Sequence, residues 1–243
     1  MWSGPEMRKG RFVRLIRRWG RRALALDAAA EPDVAVPYEV LGSSYGGWPV
    51  IDDSLNRNSV VYSFGLGQDI TFDLALIKRY GCTVYGFDPT PRSLSWLAGQ
   101  QLPSEFRVME WGLAARDGSL DLCAPARDDH VSFHCRGPGA PVSGAVPVPV
   151  RRLATIMATL GHQRIDLIKM DIEGCEYEVL EDMIASNIIP HQILVEFHHR
   201  MYDFPLKSTV DAIDNLRRAG GGIFYISDTG REYGFVRTQP FGG

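Results

Sequence analysis

Along residues 59–237 the apolar positions alternate between two spacings, and each change of spacing marks a change of element. Ser59-Val-Val-Tyr-Ser-Phe64 is a β-rich run that stops at Gly65-Leu-Gly67. Helical spacing follows over Ile70 to Tyr80, with Ile70, Leu74 and Ile77 on one side and Phe72 and Leu76 beside them. Cys82 to Phe87 reads as a second strand, Pro91 to Gly99 as a short helix opened by proline, and Phe106 to Glu110 as a third strand. The alternation resumes with a strand over Arg164 to Met170, a helix over Gly174 to Ser186, a strand over Gln192 to Phe197 and a helix over Thr209 to Ala219. Strands at Ile223 to Ser227 and Glu232 to Arg237, joined through Asp228-Thr229-Gly230, read as an antiparallel hairpin. Repeated strand–helix units predict a mostly parallel α/β sheet with helices on both faces, closed by that hairpin.

Residues 117–150 break the rhythm. Ser119 to Cys123 and Val146 to Val150 look like strands around a Gly/Pro-rich stretch, which predicts an insertion serving as a flap on the substrate side. Within it His130 and Ser132 are candidate substrate contacts. His130 and His134 sit four apart, but the alternation through Val131 and Phe133 speaks against a helical metal pair.

The N-terminal stretch has a different character. From Phe12 to Leu26 the apolar residues share one helical face and arginines cover the rest. Residues 1–26 hold eight Lys/Arg and one acid, leaving 18 bases and 28 acids, a net of −10, in residues 27–243. An acidic body is a poor nucleic-acid binder, because phosphate contacts need clustered positive charge. The basic helix over residues 8–26 is expected to dock on its own domain, on a second copy in a homodimer, or peripherally on an anionic membrane surface. Asp27 to Pro37 reads as a linker. The expected organisation is an arm and linker over residues 1–30 and one domain over residues 31–243. No apolar run approaches the ~18 residues of a spanning helix, and the cysteines (Cys82, Cys123, Cys135, Cys175) form no C-x-x-C pair. The expectation is reduced thiols in a cytoplasmic protein, peripheral to the membrane at most.

The chemistry starts at Ser63-Phe64-Gly65-Leu66-Gly67-Gln68-Asp69, between the first strand and the first helix. Glycines there let the backbone turn tightly against a ligand. Asp88, 21 residues beyond Gly67 at the end of the next strand, stands where an acid accepts ribose hydroxyls. Ser63, Gly65, Gly67, Gln68, Asp69 and Asp88 are therefore candidate nucleoside contacts, with Glu110, Trp111 and Gly112, next to Leu113, set to flank the base. A dinucleotide site wants a third glycine where this chain has Ile70, and a pyrophosphate would face the charge of Asp69. S-adenosylmethionine, cationic at sulfur and free of phosphate, suits the turn better than NAD. Its ammonium also needs acceptors, and Tyr38 and Gly42 to Trp48 can cover that end.

Lys169-Met-Asp171-Ile-Glu173-Gly174-Cys175-Glu176, following Ile168, resembles the K-[IM]-D-[IV]-E-G-x-E motif of the FkbM methyltransferases. The likeness extends through Val60 to Gly67, Phe87-Asp-Pro-Thr-Pro91 and Glu196-Phe-His-His199, and covers roughly residues 38–237. It implies a class I methyltransferase Rossmann-like fold with a seven-stranded sheet, donor contacts at Gly65, Gly67 and Asp88, and O-methylation of a sugar or secondary metabolite. A binding protein without transfer activity and an NAD-dependent oxidoreductase remain the alternatives.

Ligands of open α/β sheets lie at the carboxyl ends of the strands. Asp171 and Glu173 end one predicted strand; Glu196, His198 and His199 end the next, and alternation sends the acids and His198 toward one cleft. An alcohol needs a positioned base, so His198 or His199 is the candidate base, with Asp171 and Glu173 orienting it and Glu196 touching the acceptor. Asp171, Glu196 and His198 are also a possible set of ligands for a divalent metal, though a metal-free site is the preferred reading.

Overall fold

In the computed structural model, residues 20–21, 24, 26–123, 145–201 and 204–238 are described. Most of the basic helix, His130, Ser132, His134 and the centre of the insertion lie outside them. The strands are β1 (Tyr38–Leu41), β2 (Trp48–Ile51), β3 (Val60–Phe64), β4 (Thr83–Phe87), β5 (Phe106–Met109), β6 (Gly112–Leu113), β7 (Gly118–Cys123), β8 (Ala145–Arg151), β9 (Leu167–Met170), β10 (Gln192–Glu196), β11 (Gly221–Ile226) and β12 (Glu232–Arg237). The helices are α1 (Thr71–Tyr80), α2 (Pro91–Leu97), α3 (Leu153–Leu160), α4 (Glu176–Ala185) and α5 (Leu206–Arg218).

A 7-stranded sheet runs in the order β11-β12-β10-β9-β3-β4-β5. The pairs β5–β4, β4–β3, β3–β9 and β9–β10 are parallel, while β12 runs antiparallel to both β10 and β11. This is the doubly wound sheet with a terminal hairpin that the alternation predicts. Strand order reverses between β3 and β9, so the crevice of the fold opens above these two strands.

The pleat divides the core in two. Tyr62, Phe64, Ile168, Met170, Ile193 and Val195 face α3, α4 and α5 in one apolar layer. Their neighbours Val61, Leu167 and Leu194, with Val84, face α1 and α2 in the other. Neighbouring residues of one strand thus go to opposite faces, as a period of two requires.

The structure departs from expectation in several places. β1 and β2 pair as an antiparallel hairpin, and α3 follows β8 with only Arg152 between them. Leu153-Ala-Thr-Ile-Met-Ala-Thr-Leu160 carries only two polar residues, Thr155 and Thr159, too thin a polar stripe in so short a run to display a helical period plainly. β7 and β8 pair antiparallel, and β6 adds beside β8 to make a separate 3-stranded sheet, so the insertion is an outgrowth with its own apolar cluster of Ala114, Leu122, Val148 and Val150. The expected linker is not free. Asp27, Ala28 and Ala30 are buried, and Asp33 bonds to Arg217 and to the Ile223 N–H. Cys82 and Cys123 are free thiols, whereas Cys175 is disulfide-bonded, which corrects the expectation of reduced cysteines at that position. Among the described residues no helix is long and apolar enough to cross a membrane.

Candidate active site

A cleft of about 1620 Å³ lies above the strand-order reversal. One end is bounded by Gly65, Gly67, Asp88 and Gly112, the other by Asp171, Glu173, Glu196 and His198.

The first end is organised by backbone. Gly65 (φ 77°) and Gly67 (φ 55°) occupy the left-handed region, where a side chain is strained. At Gly65 a Cβ would be driven into the carbonyl oxygen of Asp171, so only glycine lets β3 and β9 approach at this point. The Gly67 N–H donates to Asp88 Oδ2 at 3.0 Å, which locks the glycine turn to the acid at the end of β4. Asp88 Oδ1 accepts from the Thr90 N–H and hydroxyl. Phe64 and Phe87 stack 4.3 Å apart at the base of this end. From below, the buried Lys169 Nζ donates to the carbonyls of Phe64 (3.2 Å) and Gly65 (2.6 Å) and fixes the turn from the opposite side.

The candidate nucleoside residues do not all reach the cleft. Gly65, Gly67, Gln68, Asp69, Asp88 and Gly112 line it. Ser63 is fully buried in β3 beneath it. Trp111 is turned aside, with the Arg151 guanidinium 3.8 Å from its ring centroid, and neither it nor the exposed Glu110 is among the lining residues. Leu113, Leu120, Leu122, Val148 and Val150 supply the apolar wall instead. Leu113 comes from β6 and the other four from the strands β7 and β8, so the described part of the insertion lines the cleft.

Asp69 does not point freely at a ligand. Its Oδ1 accepts from the Thr71 N–H at the start of α1, and its Oδ2 accepts from the Ser43 hydroxyl at 2.6 Å. Burial opposes its charge, but these hydrogen bonds hold its pKa below the usual value. Ser43 in turn accepts from the Tyr45 and Gly46 N–H groups, so Asp69 ties the β1–β2 turn across the cleft mouth.

The second end is organised by side-chain charge. After β9 the chain turns through Glu173 (φ 54°) and Gly174 (φ 102°) into α4. The fully buried Glu176 carboxylate accepts the Ile172 and Gly174 N–H groups at 3.0 and 2.9 Å, which holds this turn. The same carboxylate lies 2.9 Å from His198 Nδ1. His198 Nε2 lies 3.2 Å from Glu173 and 3.7 Å from Asp171. Burial disfavours a charged ring, yet Glu176, Glu173 and Asp171 outweigh it and push the His198 pKa up to about 12. This surrounding of carboxylates favours the imidazolium form of His198, in which the ring has no lone pair to take a proton.

The expectation of His199 as base is corrected by its position. Its side chain turns away from the cleft, Nε2 lying 3.2 Å from Asp27 and Nδ1 3.0 Å from the Thr209 hydroxyl, which also meets Tyr177. Alternation past β10 separates the two histidines. Glu196, against Arg231 at 3.0 Å, is raised to about 8 by burial and by the charge of Asp171. Burial likewise raises Asp171, with Glu173 adding to it against the pull of Lys169. Asp171, Glu196 and His198 place ligand-type atoms within 4.8 Å of one another. Each already faces an opposite charge on the protein: Lys169, Arg231 and the carboxylates around His198.

Lys169, Glu176 and Asp73 did not emerge as site residues from the sequence. The first two stand inside the recognised motif, where they read as ordinary ion-pairing and helix-opening residues. Asp73 has no motif at all.

Residues 59–223 match the family model described as the methyltransferase FkbM domain. The chain is 26% identical over 226 residues to the probable methyltransferase-like protein 24 of Rattus norvegicus, covering 87% of this chain and 54% of that protein. It is 28% identical over 145 residues to the human protein of the same name, covering 59% of this chain and 33% of that one. The chain thus spans about half or less of the curated relatives it matches. A crystal structure of an FkbM methyltransferase from Methylobacillus flagellatus superposes with a TM-score of 0.47 at 15% identity, covering 75% of this chain and 44% of that one.

Proposed function

The chain belongs to the FkbM methyltransferase family, and from that premise we propose that it transfers a methyl group from S-adenosylmethionine to a hydroxyl of a sugar or secondary-metabolite acceptor. One observation carries the reading: the 3.0 Å hydrogen bond from Gly67 to Asp88 brings the glycine turn and the ribose-type acid to one wall of the cleft. The residues fit this donor better than a dinucleotide. The Asp69 carboxylate occupies the N-terminus of α1, where a pyrophosphate would have to sit, and the third glycine position holds the buried Ile70.

The donor supplies a methyl group bonded to a cationic sulfur. The protein aligns the acceptor oxygen with it and takes up the proton that oxygen loses. We assign proton uptake to the carboxylates of Asp171 and Glu196, which line the cleft and whose raised pKa values make them stronger bases than ordinary acids. His198, fixed as a cation by Glu176, keeps those carboxylates in place and does not exchange its proton. Lys169 positions the turn through its carbonyls.

Calorimetry with S-adenosylhomocysteine tests the reading. Wild type is expected to bind, and Asp88→Ala to lose binding by about 100-fold or more, as expected when several hydrogen bonds to a charged group are removed. Wild type that binds NAD and not the homocysteine product would overturn it.

A further inference from the structure

Beneath the glycine turn, α1 places an acid where the cleft meets the core. Asp73 lies in the first turn of α1 and is 3% exposed, yet it lines the cleft beside Phe72, Thr71 and Lys169. Its Oδ1 is buried without a hydrogen-bond partner, and so is the hydroxyl of the adjoining Ser63, which is 0% exposed. A buried carboxylate oxygen left unpaired is costly in a folded protein, and such atoms are uncommon. Lys169 attracts it through space but gives it no hydrogen bond: two of its three N–H groups go to the Phe64 and Gly65 carbonyls, and Nζ lies 3.9 Å from Asp171. The other acid nearby, Asp69, is saturated by Ser43 and Thr71. Ser63 pulls on this carboxylate but does not close a hydrogen bond to Oδ1, so Asp73 is under-satisfied in the same cleft as Asp171, whose Oδ1 is likewise unpaired but lies at the acid end, 3.7 Å from His198.

What such a group accepts follows from charge and size. It calls for a compact donor that brings its own positive charge and reaches below the turn. An acceptor sugar has no such group, and the adenine and ribose belong beside Asp88. The amino-acid tail of the methyl donor ends in an ammonium. We infer that Asp73, with the Ser63 hydroxyl beside it, is the subsite for that ammonium, so that an acid on the first helix captures the amino-acid end of the donor while Asp88 captures its ribose end.

This inference rests on the donor proposed above, and the ligands of the test separate the two. Affinities are measured by calorimetry for S-adenosylhomocysteine, for its deaminated analogue and for 5′-methylthioadenosine, which lacks the whole amino-acid tail. Wild type is expected to bind S-adenosylhomocysteine about 10- to 100-fold more tightly than the deaminated analogue, the range of a hydrogen bond to a charged group. In Asp73→Asn that preference is expected to collapse to within about threefold, while 5′-methylthioadenosine binds as it does to wild type. The unchanged 5′-methylthioadenosine affinity also certifies that the variant is folded. A variant that keeps the full preference would overturn the inference and leave the donor reading intact. Failure of wild type to bind any of these ligands would overturn the donor reading itself. Should Asp73→Asn not fold, equal wild-type affinity for S-adenosylhomocysteine and its deaminated analogue would refute the subsite, and Ser63→Ala, which removes the group beside Asp73, decides the rest: a narrowed preference upholds the subsite and an unchanged one overturns it.

Discussion

The two ends of the cleft are built by different means. At the nucleoside end the decisive groups are backbone: two glycines at positive φ, an N–H given to Asp88 and two carbonyls tied to Lys169. At the acid end they are side-chain charges, with His198 held among Glu173, Glu176 and Asp171 and with Glu196 against Arg231. A backbone site depends on shape and tolerates no added atom. A charge site depends on balance, so removing one member leaves the others buried and uncompensated. The two ends should therefore fail differently.

The largest effect is expected from Gly65→Ala. The new methyl group meets the Asp171 carbonyl at a positive φ, and the variant should lose donor binding outright while costing on the order of 5 kcal/mol of stability, strain and overpacking together. Calorimetry and thermal unfolding check both. Close behind is Glu176→Ala, which strands the His198 charge and frees the Ile172 and Gly174 N–H groups. A loss of about 3–5 kcal/mol in chemical denaturation is expected, the range for breaking a buried ion pair. The milder Glu173→Ala, at a partly exposed carboxylate, should cost clearly less.

The acid end also predicts a pH dependence. The Glu196 pKa is raised to about 8, so below that pH the carboxyl is protonated and too weak a base to take the acceptor's proton. Methyl transfer should fall about tenfold per pH unit below 8, and a rate flat from pH 6 to 9 would remove Glu196 from proton uptake. A smaller effect of opposite sign is expected at the orphan acid. Burial raises the Asp73 pKa from 3.8 to about 6 in the folded chain, against the pull of Ser63 and Lys169. Its folded pKa lies above the unfolded one, so the stability it allows is full below pH 3.8 and is lost as pH rises through 6. Asp73→Asn should accordingly stabilise the ligand-free protein at pH 7.5, by about 1–3 kcal/mol, and the gain should vanish near pH 4. Loss of stability at both pH values would contradict this.

The contrast between the ends also explains what could be read from the sequence. Strand–helix alternation from Ser59 to Arg237 was legible because each strand of the sheet sends neighbouring residues to two apolar layers. The nucleoside end was legible because a glycine turn followed by an acid at the next strand end is a backbone requirement, tied to residue type and spacing. Even there Trp111 misled, since its identity does not reveal that Arg151 covers its ring. The acid end was legible only as an assembly. Asp171, Glu173, Glu196 and His198 do converge, but protonation follows from distances that spacing does not contain, above all the 2.9 Å between His198 and Glu176. Alternation past β10 points His198 rather than His199 at the cleft, but that Asp27, distant in sequence, closes over His199 is not contained in the spacing.

The difference between the ends is tested most directly at the His198 ring. Nitrogen-15 NMR of histidine-labelled protein, titrated from pH 5 to 10, reports whether each ring nitrogen carries a proton. His198 is expected to stay doubly protonated through pH 9, while His199, its pKa lowered chiefly by burial, is neutral at pH 7. A His198 ring that loses a proton between pH 6 and 7 would contradict the account and return it to the role of base.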